Sequence, residues 1–332
     1  MKKISISILN KLRIDFKKNT KFTYYMKNIF QLFIPSFFYR KRLSSLVNNK
    51  NIDEYILKRV NYYNKIEKNF LVDESAISIT KFQKIEKKKT YYFDLLLYLR
   101  YFPPILKISY LFGDITSVPN TPSFVKSRPI QGNNQNSILM KLNKVRHFIF
   151  VNDTIRFEDK KDILVWRGKC YTKHRKKFIQ EFYNKPYCNV GQTNTKTDTD
   201  LPWQKDKMQL QDQLSYKFIL AIEGNDVASN LKWIMSSNSL AFMTKPKYET
   251  WFMEGTLIPN YHYVLLKDDY SDLEEKIKYY SKNINESLQI IKNANEYIKQ
   301  FQNEKQEDII SLLVLKKYFE KSKQLQKEKV AL

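Results

Sequence analysis

Polar and apolar positions change rhythm about halfway along this chain. In the first half, Ile52, Ile56, Val60 and Tyr63 recur at helical spacing and predict a helix over about residues 45–70. Thr90 to Phe102 is a long apolar stretch that stops at Pro103-Pro104, and Leu106 to Phe112 predicts a buried strand stopped by Gly113-Asp114. Pro119, Pro122 and Pro129 then predict a rigid, non-helical connector. From about residue 160 the pattern alternates. Ile163–Trp166, Tyr216–Ile222, Ser239–Met243 and His262–Leu266 predict short strands. Between them, Thr172–Tyr183 and a segment carrying Ala228, Leu231 and Ile234 predict helices, the second capped by Asp226. Strands and helices in this alternation predict a doubly wound parallel sheet, so the fold class is α/β. Ser271-Asp-Leu-Glu274 reads as a capping box. Helical stripes continue through Leu288, Ile291, Ile298 and Phe301, then through Ile309–Phe319, before a charged tail.

Composition narrows the function classes. All six glycines fall between Gly113 and Gly255, which points to special loops in that stretch. The 332 residues suggest two domains. Fifty-eight basic against 34 acidic side chains leave a formal charge of +24, which suits a polyanionic partner: nucleic acid, anionic lipid or a phosphorylated glycan. Cys170 and Cys188 form neither a disulfide framework nor a four-ligand zinc site, and buried reduced thiols are expected. His147, His174 and His262 are too dispersed for a metal motif. Met1–Lys18 is basic but lacks the apolar core and cleavage site of a signal peptide. Ile29–Phe38, interrupted by Gln31 and Pro35, is too short to span a bilayer. Followed by Arg40, Lys41 and Arg42, it either rests on an anionic membrane surface or packs as a buried helix and turn, and burial is the preferred expectation.

Ligands of doubly wound sheets bind beyond the carboxyl ends of the strands. Two such ends carry suggestive chemistry. Trp166-Arg167-Gly168 offers a close backbone approach and a bidentate cation. Glu223-Gly224-Asn225-Asp226 leads into a helix containing Ser229, Asn230 and Lys232, whose N-terminus suits phosphate. Together they describe a diphosphate cradle. No GxGxxG or P-loop is present. Asp114, at a strand end beside Gly113, has the chemistry of a general base or of a simple turn cap. Lys126, Ser127 and Arg128 in the Pro-rich segment either contact anionic ligand groups or belong to the surface.

The ordered set of motifs resembles glycosyltransferase family 90. The residues carrying the resemblance are Gly113-Asp114, Val118-Pro119, Phe124–Pro129, Trp166-Arg167-Gly168, Thr199–Trp203, Glu223-Gly224-Asn225, Glu249-Thr-Trp251, Pro259–Val264 and Ser271-Asp272-Leu273. The family includes bacterial lipopolysaccharide-core transferases, fungal capsule xylosyltransferases and animal protein O-glucosyltransferases, and the bacterial branch is nearest in texture. The resemblance implies a GT-B-like fold of two Rossmann-like domains facing a cleft, with added terminal helices. It divides the chain into an acceptor-side domain (1–155), a UDP-sugar-binding domain (156–275) and C-terminal helices (276–332) that pack back across both. It implies inverting transfer of glucose or galactose from a UDP-sugar to a lipopolysaccharide or lipo-oligosaccharide core sugar, with Asp114 as base. Arg167, Gly168, Glu223, Gly224, Asn225, Ser229, Asn230, Lys232 and Glu249 would serve the donor, and Lys126, Ser127 and Arg128 the acceptor or phosphate. No metal or other cofactor is expected. The expected partners are the UDP-sugar donor, a glycolipid acceptor and an anionic membrane surface, with no nucleic acid. The expected location is cytoplasmic, peripheral at the inner face of the inner membrane. Eukaryotic members carry an arginine where this chain has Asn230, so diphosphate neutralisation is expected to rest on Arg167 and Lys232. A rival reading makes Asp198-Thr199-Asp200 the metal-binding triplet of a GT-A enzyme, but that triplet normally follows an apolar strand and here follows the polar run Gln192–Thr197. The alternative from another class is a non-catalytic protein that binds nucleic acid or a membrane surface.

Overall fold

The computed structural model describes residues 21–47, 52–194 and 201–325. Asp198 and Asp200 of the triplet, and Met1–Lys18, lie outside the described residues.

The first half is built from helices α1 (Lys21–Leu32), α2 (Ser36–Leu46), α3 (Glu54–Tyr63), α4 (Ile79–Gln83), α5 (Thr90–Leu99) and α6 (Lys144–His147). Six short strands run among them: β1 (Ile77–Ser78), β2 (Lys107–Ile108), β3 (Tyr110–Leu111), β4 (Ser123–Val125), β5 (Ser127–Pro129) and β6 (Ser137–Leu139). Strands β3, β4 and β6 form a small parallel sheet, and β1 pairs antiparallel with β2. The single strand expected over Leu106–Phe112 is thus two strands in different sheets. Its polarity explains the break, because Ser109 interrupts the apolar run and its N–H donates to the Tyr318 hydroxyl at 3.3 Å. The Pro-rich connector is non-helical, as expected, and contains β4 and β5.

The second half contains β7 (Lys161–Gly168), α7 (Lys173–Phe182), β8 (Cys188–Gln192), α8 (Leu210–Gln213), β9 (Tyr216–Leu220), α9 (Leu231–Met235), β10 (Leu240–Thr244), β11 (Tyr248–Thr250), β12 (Val264–Leu266), α10 (Leu273–Lys282), α11 (Ile284–Lys299) and α12 (Glu304–Lys321). Five strands form a wholly parallel sheet in the order β12-β10-β9-β7-β8. Apart from the edge strand β8, its strands carry apolar residues on both faces, as burial on both sides requires. Leu164, Trp166, Phe218, Leu220, Leu240 and Phe242 pack with α7 and α10 on one face. Val165, Ile219, Ala241 and Met243 pack with α9 and the end of α11 on the other. The α/β class with parallel sheets therefore stands, although the two halves differ sharply in sheet size.

Two seams join the halves. Strand β5 pairs antiparallel with β11, placing Glu249 opposite Arg128. Helix α12 packs on α3 and α5, where Glu307 forms an ion pair with Arg59 at 2.6 Å and accepts hydrogen bonds from Lys141 at 2.9 Å and the Trp251 indole at 2.7 Å. Every member of that cluster is buried or nearly so, so removing one leaves a neighbour uncompensated.

Three local expectations are corrected. The capping box at Ser271–Glu274 does not form: α10 starts at Leu273 without a side-chain cap, and the Asp272 carboxylate accepts the Lys267 N–H instead. Asp226 does not cap α9, because an ion pair claims it, as described below. Nor is Ile29–Phe38 buried. The inward face of α1 is taken by Tyr24, whose hydroxyl donates to Asp94 at 2.7 Å, and by Tyr25, which packs edge-on against Phe93. Ile29, Phe30, Phe33, Phe37 and Phe38 are left exposed. No helix among the described residues is long and apolar enough to cross a membrane.

Candidate active site

The order of strands in the large sheet dictates where a ligand fits. Counted along the chain the order is 2-1-3-4-5, so the winding direction reverses between β7 and β9, and the crevice that such a reversal creates is expected beyond their carboxyl ends. The two glycine-bearing loops singled out in the sequence lie at those ends. Gly168 closes β7, and Gly224 follows β9. Gly168 has a steric reason: a Cβ there would meet the Trp166 ring at 2.4 Å.

A residue the sequence reading missed ties these loops together. Arg175, in the first turn of α7, donates Nη1 to the Lys169 carbonyl at 3.0 Å. Its Nη2 donates to Ile222 at 2.7 Å and its Nε to Glu223 at 2.8 Å. One guanidinium therefore clasps the β7 and β9 loops through their backbone carbonyls. Burial pulls its pKa below the usual arginine value, but the group remains a cation. The signal for it was its position: the first helix after the first strand of a doubly wound unit begins at the switch point.

Asp114 reaches this crevice from the other half. Its Oδ1 takes Lys126 Nζ at 2.5 Å, and its Oδ2 accepts Asn225 Nδ2 at 3.3 Å. Lys126 also pairs with Asp226 Oδ2 at 2.6 Å. Both Lys126 and Asp226 are buried, whereas the Asp114 side chain is 30% exposed. Lys126 is thus a buried bridge, and one of its two carboxylates opens to solvent. Burial alone would raise the Asp114 carboxyl, but the Lys126 hydrogen bond and charge outweigh it, and Asn225 and Arg146 add to them. The carboxyl is held below the usual range and is ionised at neutral pH. Lys126 itself is destabilised by burial and held protonated chiefly by Asp226.

The other expected site residues divide. Asn225 is exposed at the crevice, and Gly224 and Glu223 lie behind it. Burial raises the Glu223 carboxyl to about 6, opposed mainly by the Lys247 N–H, which it accepts at 3.0 Å. Ser229 and Asn230 sit half-buried in the turn before α9, where Asn230 donates to the Leu220 carbonyl at 2.9 Å. Helix α9 is only five residues long, so it does not supply the extended phosphate-binding N-terminus expected of it. Arg167 turns onto the sheet, giving Nη1 to the Asn189 carbonyl at 2.7 Å and Nη2 to the Asn189 side chain at 2.8 Å. Lys232 is buried against Glu254 at 2.6 Å. Arg128, Glu249 and Ser127 are also interior. Arg128 bonds Glu249 at 2.8 Å and the carbonyls of Tyr62, Tyr63 and Ser137, while Ser127 donates to the Ile115 carbonyl at 3.0 Å. The structure therefore brings Asp114, Lys126, Glu223, Gly224 and Asn225 together, and assigns Arg128, Arg167, Lys232 and Glu249 to internal bonds.

Arg146 is a second missed residue. It is exposed on α6, makes no ion pair among the described residues, and is close enough to influence both Asp114 and Arg175 electrostatically. It is thus an exposed cation near Asp114 with no carboxylate of its own among the described residues. Both cysteines are buried and free, as expected, and burial pushes their thiols up to about 11 for Cys170 and about 12 for Cys188.

This arrangement suits transfer of a group from an anionic leaving group. It combines an ionised carboxylate, a neighbouring cation and two strand-end loops at a switch point. Comparison with known proteins agrees. Residues 136–330 match the model of the family described as Glycosyl transferase family 90. Over 264 residues the chain is 46% identical to O-glucosyltransferase LpsA of Dichelobacter nodosus, covering 80% of this chain and 82% of that protein. The matched family span takes in both glycine loops and the Arg175 clasp, and the chain belongs to glycosyl transferase family 90 and is a glycosyltransferase.

Proposed function

We propose that the enzyme transfers glucose, with inversion, from UDP-glucose to a hydroxyl of a lipopolysaccharide or lipo-oligosaccharide core sugar. Glucose is favoured over galactose by the name of the Dichelobacter nodosus relative. The supporting observation is the Asn225–Asp114 contact, which sets the partly open Asp114 carboxylate of the small-sheet half against the β9 loop of the large sheet.

In this reading Asp114 Oδ2 receives the proton of the acceptor hydroxyl as its oxygen bonds to the anomeric carbon. The bond from that carbon to the phosphate oxygen breaks, and UDP leaves with the electron pair. Lys126 remains charged throughout because Asp226 continues to hold it. Protonation of Asp114 therefore leaves no buried cation unpaired. Arg146 and the uncapped first-turn N–H groups of α7 stabilise the departing diphosphate. The Arg175 clasp keeps the two loops at a fixed spacing. We assign the diphosphate to Arg146 rather than to Arg167 or Lys232, since both of those are engaged internally. A GT-B arrangement with an acceptor-side unit to about residue 155, a metal-independent reaction and a cytoplasmic, membrane-peripheral location belong to the same proposal. Membership of an enzyme family leaves the nucleic-acid-binding alternative without support.

The test is a thermal-shift titration with UDP, GDP and ADP in the presence of EDTA, followed by turnover of UDP-glucose and UDP-galactose. Selective stabilisation by UDP and faster turnover of UDP-glucose are expected. A preference for GDP or ADP, or activity lost to EDTA and restored by manganese, contradicts the proposal.

A further inference from the structure

The outward face of α1 and α2 is unusual for a protein surface. Phe22, Phe30 and Phe33 are 73%, 72% and 79% exposed, and Met26, Ile29, Phe37 and Phe38 are exposed beside them. Large exposed apolar patches mark surfaces that meet something. The helices that carry it are held from behind. Tyr24 and Asn28 are buried, Tyr39 packs edge-on against Tyr101, and Arg100 donates to the Tyr39 hydroxyl and to the Ile34 carbonyl. The patch is thus a fixed feature of a packed element. Residues 21–47 contain five basic side chains (Lys21, Lys27, Arg40, Lys41 and Arg42) and no Asp or Glu. Lys41 stands over the Phe37 ring at 4.3 Å, so cation and aromatic are presented together.

We propose that α1 and α2 form a docking face that seats on an anionic lipid bilayer, with the phenylalanines in the headgroup–acyl boundary and the basic residues against lipid phosphates. Charge selects this occupant. A second copy would oppose one basic patch with another. Residues 1–20 carry six basic side chains and one acidic, so that segment is also repelled. Anionic lipid complements both the apolar and the basic character of the face. The inference deepens the proposed function by naming how the enzyme reaches a membrane-borne acceptor, and rests on that reading only for its purpose.

The test uses the full chain in co-sedimentation with vesicles of phosphatidylcholine alone and with phosphatidylglycerol added. The wild type should bind the anionic vesicles selectively, and more weakly at high salt. Phe30→Ser with Phe33→Ser should weaken binding about tenfold or more. Arg40→Glu with Arg42→Glu should abolish the preference for anionic lipid. Each variant should keep the wild-type melting temperature and its shift with UDP. In Phe33→Trp, tryptophan emission should move to the blue on adding anionic vesicles. Three outcomes overturn the proposal: wild type that ignores anionic vesicles, phenylalanine variants that bind as the wild type does, or a concentration-dependent dimer that only the wild type forms. A chain that binds vesicles but shows no response to UDP would refute the enzymatic reading and leave this one standing.

Discussion

Lys126 and Arg128 stand two residues apart, on and beside β5. Both are almost wholly shut off from solvent, and both are paired with a carboxylate distant in sequence. Arg128 meets Glu249, which is equally buried and takes the Tyr62 hydroxyl on its other oxygen. Both Glu249 oxygens are engaged, and the pair joins β5 to β11 as structure. Lys126 meets two carboxylates, and one of them, Asp114, still has an oxygen facing the crevice. The difference lies in unused bonding capacity. A buried ion pair that consumes all its acceptors is a seam, and one that leaves an acceptor at a cavity mouth has chemistry to offer.

The sharpest way to break this comparison is at the open carboxylate. Asp114→Asn should lower turnover about a thousandfold while the fold and the UDP response persist, because the side chain is nearly isosteric and only the proton acceptor is lost. Steady-state rates with the UDP-induced melting shift check this, and a variant of normal rate would make both ion pairs structural. At the closed pair the expected loss is of a different kind. Arg128→Met should destabilise the protein by about 3–5 kcal/mol in urea unfolding, since Glu249 is left buried without its cation. Its folded fraction should keep the UDP affinity of the wild type, and a selective loss of that affinity would place Arg128 in the donor site.

Arg175→Lys should have a smaller effect, since one ammonium cannot reach all three carbonyls. The KM for the donor should rise by roughly tenfold, with a lesser change in kcat, as the two loops lose their fixed spacing. An unchanged KM would mean that the sheet alone positions them. The smallest effect concerns Glu223. Its carboxyl is raised from 4.5 to about 6 by burial, so the fold favours the protonated form. The resulting penalty is absent below about pH 4.5, grows as pH rises, and is complete above about pH 6. Glu223→Gln should therefore stabilise the protein at pH 8, by at most about 2 kcal/mol, and give no gain at pH 4.5. Melting temperatures across that range test the sign.

Much of the fold was legible because its signals are local. The large sheet could be read from Ile163–Trp166, Tyr216–Ile222, Ser239–Met243 and His262–Leu266, since strands buried on both faces leave continuous apolar runs. Strand β8, Cys188–Gln192, left no such run and was missed. The strands of the small sheet are two or three residues long, too short to show any periodicity. The exposed phenylalanines of α1 and α2 misled for the opposite reason. An apolar pattern shows that burial is favourable but does not say against what, and the inward positions went to Tyr24 and Tyr25.

By itself, the sequence determined the α/β class, the positions of the two glycine loops and the candidacy of Asp114 beside Gly113. Each of these follows from spacing, from steric freedom or from a residue's own chemistry. Only the tertiary structure decided how the charges were spent. Arg167, Lys232, Arg128 and Glu249 were attractive as ligands by their place at strand ends or in the family's motifs, and each is engaged by a partner elsewhere in the chain. Arg175 and Arg146 carried no motif, and folding set the first across both glycine loops and the second near Asp114. A charged side chain brings a fixed bonding capacity, and which part of it remains for a ligand depends on what else the fold packs within about 3 Å of it.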